Sequence, residues 1–367
     1  MNFRIMSRII IFFIFKICFV FPQNTDDLYK NIQSKFIINN KNSTIILPEG
    51  KFYLERSLWG EDLDNVIIKG MGQQKTIISF MNQIEGAEGL KIINSKNITL
   101  RDFTIEDSKG DLIKIEDSSD INIINVTAQW TSGPQETNGS YGLYPVKSTN
   151  ILVDNCIVSG ASDAGIYVGQ SHNIIVKNSK VFNNVAGIEI ENSSSADVYN
   201  NFAYNNTGGI LIFNLPDLLI KGGGEIRVYN NLIVENNLNN FAPEGNIVAK
   251  VPAGTGIMIL AASFVDIFNN IIYNNKTANT SIVSYYLTEE PLTDSLYYPY
   301  PTSINIYNNI YKRDTQFPSF SFKQPIGFLL AYHYWRDVPD IIYDGILDSK
   351  LISDTGIIPS ESSINGD

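Results

Sequence analysis

The chain has 367 residues, 44% of them hydrophobic, and a formal net charge of −11. This length and apolar content are sufficient for a substantial core. An acidic protein repels nucleic acid and anionic membranes, and the sequence has neither a phosphate-binding glycine loop nor zinc-ligand spacing. We therefore predict no nucleic-acid partner and no nucleotide partner.

The N-terminal segment predicts a signal peptide over residues 1–23. Arg4 and Arg8 precede an apolar run from Ile9 to Phe21. About 13 residues are too few to span a bilayer, which takes roughly 20, but they suit a secretory signal. We expect a secreted protein, either periplasmic, extracellular or associated with the cell envelope. Cys156 is then the only cysteine left, so no intrachain disulfide is expected.

Residues 24–45 predict a helical cap. Leu28, Ile32 and Phe36 recur every four residues, behind good N-cap residues. Such a helix would cover the open N-terminal end of a repeat structure.

Residues 46–312 contain a degenerate repeat. The stretch "AGIYVGQSHNIIVKNSKVFNN" is followed almost at once by "AGIEIENSSSADVYNNFAYNN". Short alternating strands with Asn at the turns predict an all-β fold, a single right-handed parallel β-helix. Aliphatic residues would stack inside, and aligned polar residues would form a side-chain ladder. The predicted ladder column contains Asp102, Asn125, Asn155, Asn178, Asn200, Asn230, Asn269 and Asn308.

Residues 313–367 break the repeat and predict a C-terminal cap and tail. The apolar, aromatic segment "PIGFLLAYHYWRDVPDIIYDGI" is the part expected to cover this end of the solenoid.

Paired carboxylates mark one strand of the repeat. In "AGIEIENS", Glu189 and Glu191 are two residues apart, so both point to the same face of the strand. The register of the repeat places Lys114, Tyr144 and Tyr167 in the row of Glu189. It places Glu116 and Phe213 in the row of Glu191, with Lys147, Gln170 and Asn192 at the following turn.

Four insertions flank this sheet face. "TSGPQETNGSYG" and "NLNNFAPEGNIVAKVPAGTG" enter before a strand, whereas "NLPDLLIKGGGE" and "YYLTEEPLTDSLYYPYPTS" follow one. They predict two walls around a floor, a cleft suited to a polysaccharide, because binding residues often lie on loops held by a rigid scaffold. Asp163 would lie at the cleft wall.

The coil pattern resembles the secreted parallel β-helix repeat proteins of the pectin-lyase-like superfamily. The matching stretches are "NGSYGLYPV", "GASDAGIYVGQS", "NVAGIEIENS", "NTGGILIF" and "VPAGTGIMI". The resemblance implies the fold but no settled activity. "YGLYPVKS" is also similar to a stretch of mannuronan C5-epimerases, but Tyr144-Pro145-Val146-Lys147 replaces their Asp-Pro-His-Asp motif.

Three functions remain open from the residues. The first is polysaccharide binding without catalysis, in which Lys114, Asp163, Gln170, Asn192 and Phe213 bind the chain. The second is a uronate lyase or C5-epimerase. In that enzyme Lys147 or Lys114 would neutralise the substrate carboxylate, Tyr144 or Tyr167 would move protons, and Glu116, Glu189 and Glu191 would hold Ca²⁺, the only cofactor considered.

The third function is glycoside hydrolysis by Glu189 and Glu191. Their spacing along a strand is about 6.6 Å at roughly 3.3 Å per residue. This spacing falls within the range that two catalytic carboxyls require.

Overall fold

A computed structural model describes residues 25–314, 316–321, 324–352 and 364–366. The predicted signal peptide, residues 1–23, lies outside the described residues. Neither α-helix of the described part is long and apolar enough to cross a membrane.

The chain forms a solenoid whose coils have three short strands, so the predicted all-β parallel β-helix is confirmed. Every strand pairs in parallel with the equivalent strand of the next coil. The first sheet comprises Arg56–Glu61, Glu85–Ile93, Ile113–Glu116, Tyr141–Val146, Ala164–Gly169, Ala186–Glu191, Gly208–Phe213, Thr255–Leu260, Ala278–Val283 and Ile341–Tyr343.

The other two sides of the solenoid are a second and a third strip of strands. The second comprises Lys41–Ile46, Asp64–Lys69, Thr149–Asp154, His172–Lys177, Ser194–Tyr199, Gly224–Tyr229, Ser263–Phe268, Thr302–Tyr307 and Ile364–Gly366. The third comprises Gly50–Tyr53, Thr76–Ser79, Ile157–Ser159, Lys180–Phe182, Phe202–Tyr204, Leu232–Val234, Ile271–Tyr273 and Ile310–Lys312. Two long strands, Lys96–Glu106 and Ser119–Gln129, run through both strips and join them.

The interior of the solenoid is aliphatic, as predicted. The inward residues of the first sheet stack in register from coil to coil and are fully buried. These residues are Ile166, Val168, Ile188, Ile190, Ile210, Ile212, Ile257 and Ile259. Cys156 is a buried core residue of the same interior.

The predicted asparagine ladder is displaced by one residue. Residues of the predicted column have a left-handed backbone with φ between 54° and 62°, which Asn and Asp tolerate better than most residues. Two members at the start of this column do bond, because the Asn125 amide donates to the Asp102 carboxylate at 2.7 Å. The continuous ladder of the later coils runs instead through the residue that follows each column member. Its amides connect Asn201, Asn231, Asn270 and Asn309 at 2.9–3.1 Å. A second ladder connects Asn184, Asn206, Asn236 and Asn275.

The N-terminal end has a helical cap, as predicted. Helix α1, Thr25–Ile38, buries Ile32 and Phe36 against the core. Gln33 accepts a hydrogen bond from the Trp59 backbone N–H at 3.0 Å and donates one to the Trp59 carbonyl at 2.6 Å. The helix therefore satisfies part of the unpaired edge of the first sheet. The strand Lys41–Ile46 already pairs with the next coil. The solenoid therefore begins within residues 24–45, which were predicted to form the cap.

The C-terminal region is only partly a separate cap. Helix α2, Pro325–Tyr334, breaks the repeat, but Ile341–Tyr343 extends the first sheet and Ile364–Gly366 extends the second strip. The described part of the chain also contains three short 3₁₀ helices: Ile247–Lys250, Tyr285–Thr288 and Ser349–Leu351.

Candidate active site

The outward rows of the first sheet have the predicted register. Lys114 pairs with Tyr144, Tyr167 pairs with Glu189, and Gly169 pairs with Glu191. Glu189 and Glu191 therefore share the outer face. In each row the next residue toward the C-terminal end of the solenoid is apolar: Leu211 follows Glu189, and Phe213 follows Glu191.

The predicted open cleft is wrong over the later coils. The insertion of residues 237–254, here called the covering loop, does not form a side wall but lies across the sheet face. Its Val248 and Val251 share one buried apolar cluster with Leu211, Phe213 and Met258. Burial of these apolar outward residues supplies the free energy that holds the loop down. The spacing of the repeats located this insertion, but it did not show that the loop turns over the sheet face.

Three tyrosines pack together beside the glutamates. The ring centroids of Tyr141 and Tyr144 are 4.4 Å apart, those of Tyr141 and Tyr167 are 4.4 Å apart, and those of Tyr144 and Tyr167 are 5.0 Å apart. The Lys114 ammonium lies 5.0 Å from the Tyr144 ring centroid, a cation–π contact. Tyr144 and Tyr167 were predicted site residues, whereas Tyr141 was missed.

Three carboxyl groups are buried against this tyrosine cluster. The exposed fraction is 6% for Asp163, 1% for Glu189 and 7% for Glu191. The Tyr167 hydroxyl donates a hydrogen bond of 2.5 Å to Glu191 Oε1. Asp163 accepts a hydrogen bond from Asn246 of the covering loop at 3.1 Å and another from the Tyr141 hydroxyl. Glu189 Oε2 is buried without a hydrogen-bond partner among the described residues.

Burial and mutual repulsion raise the pKa of all three carboxyls. Desolvation, followed by the negative charge of Glu191, raises the pKa of Asp163 to about 8. Desolvation raises the pKa of Glu191 to about 7, against the opposing hydrogen bond from Tyr167. The pKa of Glu189 lies well above its usual range because of burial, then Asp163, then Glu191. At neutral pH the group therefore holds protons that exposed carboxyls would release.

Asp111 extends this group and was missed by the sequence analysis. Its carboxylate accepts a hydrogen bond from the Tyr141 backbone N–H at 3.1 Å, and burial raises its pKa to about 6. Asp111 and Tyr141 come from adjacent coils, and Asn246 comes from the covering loop. No sequence signal distinguished these residues, because the contacts join segments 30 and 83 residues apart.

The two lysines predicted to neutralise a substrate carboxylate both contact Glu116. Glu116 forms ion pairs with Lys147 at 2.9 Å and with Lys114 at 3.4 Å. The Lys147 hydrogen bond lowers the pKa of Glu116 most. Both ammonium groups therefore contact one acid of the protein, whose single negative charge offsets only one of their two positive charges.

The three predicted Ca²⁺ ligands do not lie together on the sheet. Glu116 lies three strands from Glu191, about 14 Å at the usual strand spacing, so the two cannot share one ion. Within the described ranges, no group of three or more His, Cys, Asp or Glu side chains is arranged to hold a metal.

Three predicted substrate-binding residues are structural. Asn192 donates hydrogen bonds to the carbonyls of Leu215 and Ile220 at 2.9 and 2.8 Å, and Gln170 accepts one from the Leu219 backbone N–H at 3.0 Å. Both residues therefore anchor the insertion that follows Phe213. The Phe213 ring is buried under the covering loop, where it cannot stack on a sugar.

Comparison with known proteins agrees with this architecture. A family model described as a right handed beta helix region matches residues 88–237. The chain has a right-handed parallel β-helix fold. No curated protein sequence is significantly similar to this β-helix chain.

Solved structures similar to this β-helix include enzymes from three bacteria. The A-module of a mannuronan C-5 epimerase from Azotobacter vinelandii is 18% identical, with 76% of this chain and 81% of that chain covered and a TM-score of 0.51. An alginate lyase from Paenibacillus sp. str. FPU-7 is 11% identical, with coverage of 77% and 95% and a TM-score of 0.52. A DFA-IIIase from Arthrobacter chlorophenolicus A6, in complex with DFA-III, is 12% identical, with 93% of each chain covered and a TM-score of 0.51. Identity this low shows the common fold alone.

Proposed function

We propose that this β-helix protein is a glycoside hydrolase for a polysaccharide, with Glu189 and Glu191 as its two catalytic carboxyls. The observation that carries the proposal is the burial of Asp163, Glu189 and Glu191 together beside the tyrosine cluster, where desolvation raises the pKa of each carboxyl. A structural sheet face gains nothing from burying three acids, whereas an active site uses such displaced pKa values.

The environments of the two glutamates suggest their roles. Burial, then Asp163, then Glu191 raise the pKa of Glu189, which is the proposed general acid that gives its proton to the leaving glycosidic oxygen. The Tyr167 hydrogen bond lowers the pKa of Glu191 against the effect of burial, and Glu191 is the proposed base or nucleophile. In the overall reaction the glycosidic C–O bond breaks and the hydroxyl of water joins the anomeric carbon. The two glutamates together give one proton to the leaving oxygen and regain one from that water, and Asp163 helps keep Glu189 protonated.

Electrostatics favour a neutral polysaccharide over a polyuronate. Lyase and epimerase chemistry requires a cation against the substrate carboxylate. Lys114 and Lys147 share the single negative charge of Glu116. The charged forms of the buried acids would repel a uronate. The mannuronan epimerase and the alginate lyase with a similar fold act on polysaccharides by name, which supports a polysaccharide substrate but neither its charge nor the reaction.

Polysaccharide binding without catalysis is the second candidate, because the Glu189 side chain is almost fully buried. The Tyr141, Tyr144 and Tyr167 cluster would then serve only as a sugar-binding surface. Secretion through the predicted signal peptide is part of both proposals.

The deciding experiment incubates the protein lacking residues 1–23 with xylan, galactomannan, mixed-linkage glucan and alginate in D₂O. NMR follows the sugars. We expect new reducing ends without deuterium at C5. Deuterium at C5, or unsaturated ends, would instead show lyase or epimerase chemistry. Binding without any change in the sugars would favour the second candidate.

Variants assign the chemistry to the two glutamates. Glu189→Gln and Glu191→Gln should each reduce turnover by about 10²–10⁴-fold, the usual contribution of one acid or base. Glu225→Gln is the matched control, because Glu225 is exposed on another side of the solenoid. Equal activity of all three variants would contradict the assignment.

A further inference from the structure

The outer face of the first sheet is open at one end and closed at the other. Trp59, in the first strand of this sheet, is 51% exposed. Leu211, Phe213, Met258 and Leu260, beyond the two glutamates, are 0–4% exposed. The buried acids therefore lie at the boundary between an open floor and a covered one.

Several contacts close the far end. Val248 and Val251 of the covering loop pack on the apolar floor, and Asn246 bonds to Asp163. Lys250 forms an ion pair with Glu290 and donates a hydrogen bond to the Thr288 carbonyl. Gln324, just before helix α2, donates a hydrogen bond of 3.2 Å to the Ala249 carbonyl. The covering loop is thus held at both ends of the strands, because Asp163 precedes a strand of the first sheet and Thr288 and Glu290 follow one.

The open floor has a row of groups suited to a sugar chain. Trp59, Lys91, Lys114 and Tyr144 occupy equivalent positions of successive strands. Three strand steps separate Trp59 from Tyr144, about 14 Å. Aromatic faces bind the apolar faces of sugar rings, and the lysine ammonium groups donate hydrogen bonds to hydroxyls. Lys91 is paired with Glu88, whereas Lys114 and Lys147 share Glu116, so one positive charge remains beside the row.

We infer that the β-helix binds one end of a polysaccharide, with the chain lying over the row from Trp59 to Tyr144 and its terminal sugars at the acid group. The covering loop blocks the chain from continuing past Glu191. Cleavage is therefore exo-acting and releases short products from chain ends. This inference rests on the proposed hydrolase function.

The first test compares viscosity with reducing ends while the cleaved polysaccharide of the panel is digested. Exo-action predicts many new reducing ends with little loss of viscosity and only short products. Rapid loss of viscosity, with products of all sizes, would overturn exo-action and leave hydrolysis standing. Absence of cleavage in the whole panel would remove the hydrolase proposal, and this inference with it. Oligosaccharides labelled at one terminus identify which end enters the site.

Deletion of the covering loop tests whether this loop is the cause of exo-action. Asn236 and Gly254 align with Asn206 and Thr207 of the preceding coil. Joining Asn236 directly to Gly254 therefore restores the short turn found there. We expect the products of this variant to become longer and more varied. If the folded variant still releases only short products, the covering loop does not set the mode of cleavage. The product pattern of the unaltered protein remains decisive if the variant does not fold.

Trp59→Ala tests the open row. We expect KM to rise on the order of tenfold for long oligosaccharides, which is about 1.4 kcal/mol, with kcat unchanged. Short oligosaccharides that do not reach Trp59 should be unaffected. Tyr332→Ala, at an exposed aromatic residue on α2, is the control. An equal effect of Trp59→Ala on short and long substrates would contradict binding along this row.

Discussion

At the scale of single residues, the environment of Glu189 and Glu191 differs from that of an ordinary exposed strand. Alternation along the strand places both on the outer face. Their chemistry depends on neighbours from other segments: Asp163 raises the Glu189 pKa, and the Tyr167 hydroxyl bonds to Glu191. An exposed pair with the same spacing would be ionised at neutral pH.

Buried acids predict a stability that falls as pH rises. The unfolded chain releases these protons near pH 4, whereas the folded protein keeps them until about pH 7 for Glu191 and about pH 8 for Asp163. The folded state therefore binds more protons between these limits, and the free energy of unfolding decreases with increasing pH. Denaturant titration from pH 5 to pH 9 measures this slope.

Glu189→Gln should flatten the slope, because it removes one of the coupled acids without removing volume. Glu225→Gln should leave the slope unchanged. Stability that stays constant or increases from pH 5 to pH 9 would show that the three carboxyls are ionised in the folded protein.

At the scale of elements, neighbouring asparagines in one turn have different tasks. Asn200 has a left-handed backbone with φ of 56°, whereas Asn201 is buried and bonds through its side chain to Asn231. The same pair of tasks recurs in the following coils. Both positions contain Asn in the sequence, so composition alone does not separate a turn residue from a ladder residue.

The two tasks predict effects of very different size for the same substitution. Asn201→Gly should lower the free energy of unfolding by about 2–4 kcal/mol, because it leaves buried ladder partners unsatisfied and adds chain entropy. Asn200→Gly should change it by no more than about 0.5 kcal/mol, since glycine adopts positive φ freely. Chemical denaturation of both variants checks this contrast. A larger loss for Asn200→Gly would place the ladder in the originally predicted column.

At the scale of the whole molecule, the solenoid must protect its first edge. Helix α1 covers the end of the core with Ile32 and Phe36 and pairs with the Trp59 backbone through Gln33. An uncovered edge would present unpaired N–H and C=O groups together with apolar surface.

Removal of residues 1–39 should therefore cause self-association. Removal of residues 1–23 is the control, because it leaves α1 in place. Sedimentation velocity at matched concentrations compares the two proteins. If both sediment identically as the same small species, the helix is not required to protect the edge.

The sequence by itself determined the repeat, the parallel β-helix, the helical N-terminal cap and the face on which Glu189 and Glu191 lie. These features follow from local alternation and from a period near 22 residues, so Ile188 and Ile190 point inward and the glutamates outward. The position of the tyrosines in the same rows followed from the same register.

Only the tertiary structure decided which part of that face is open. The path of the covering loop depends on packing of Val248 and Val251 against coils that are distant in sequence. The contacts of Asp163 with Asn246 and of Lys147 with Glu116 likewise join distant segments. The burial of a side chain and the pairing of its charge depend on all of these distant neighbours together. The repeat pattern therefore fixed the floor of the site, and the insertions fixed its chemistry.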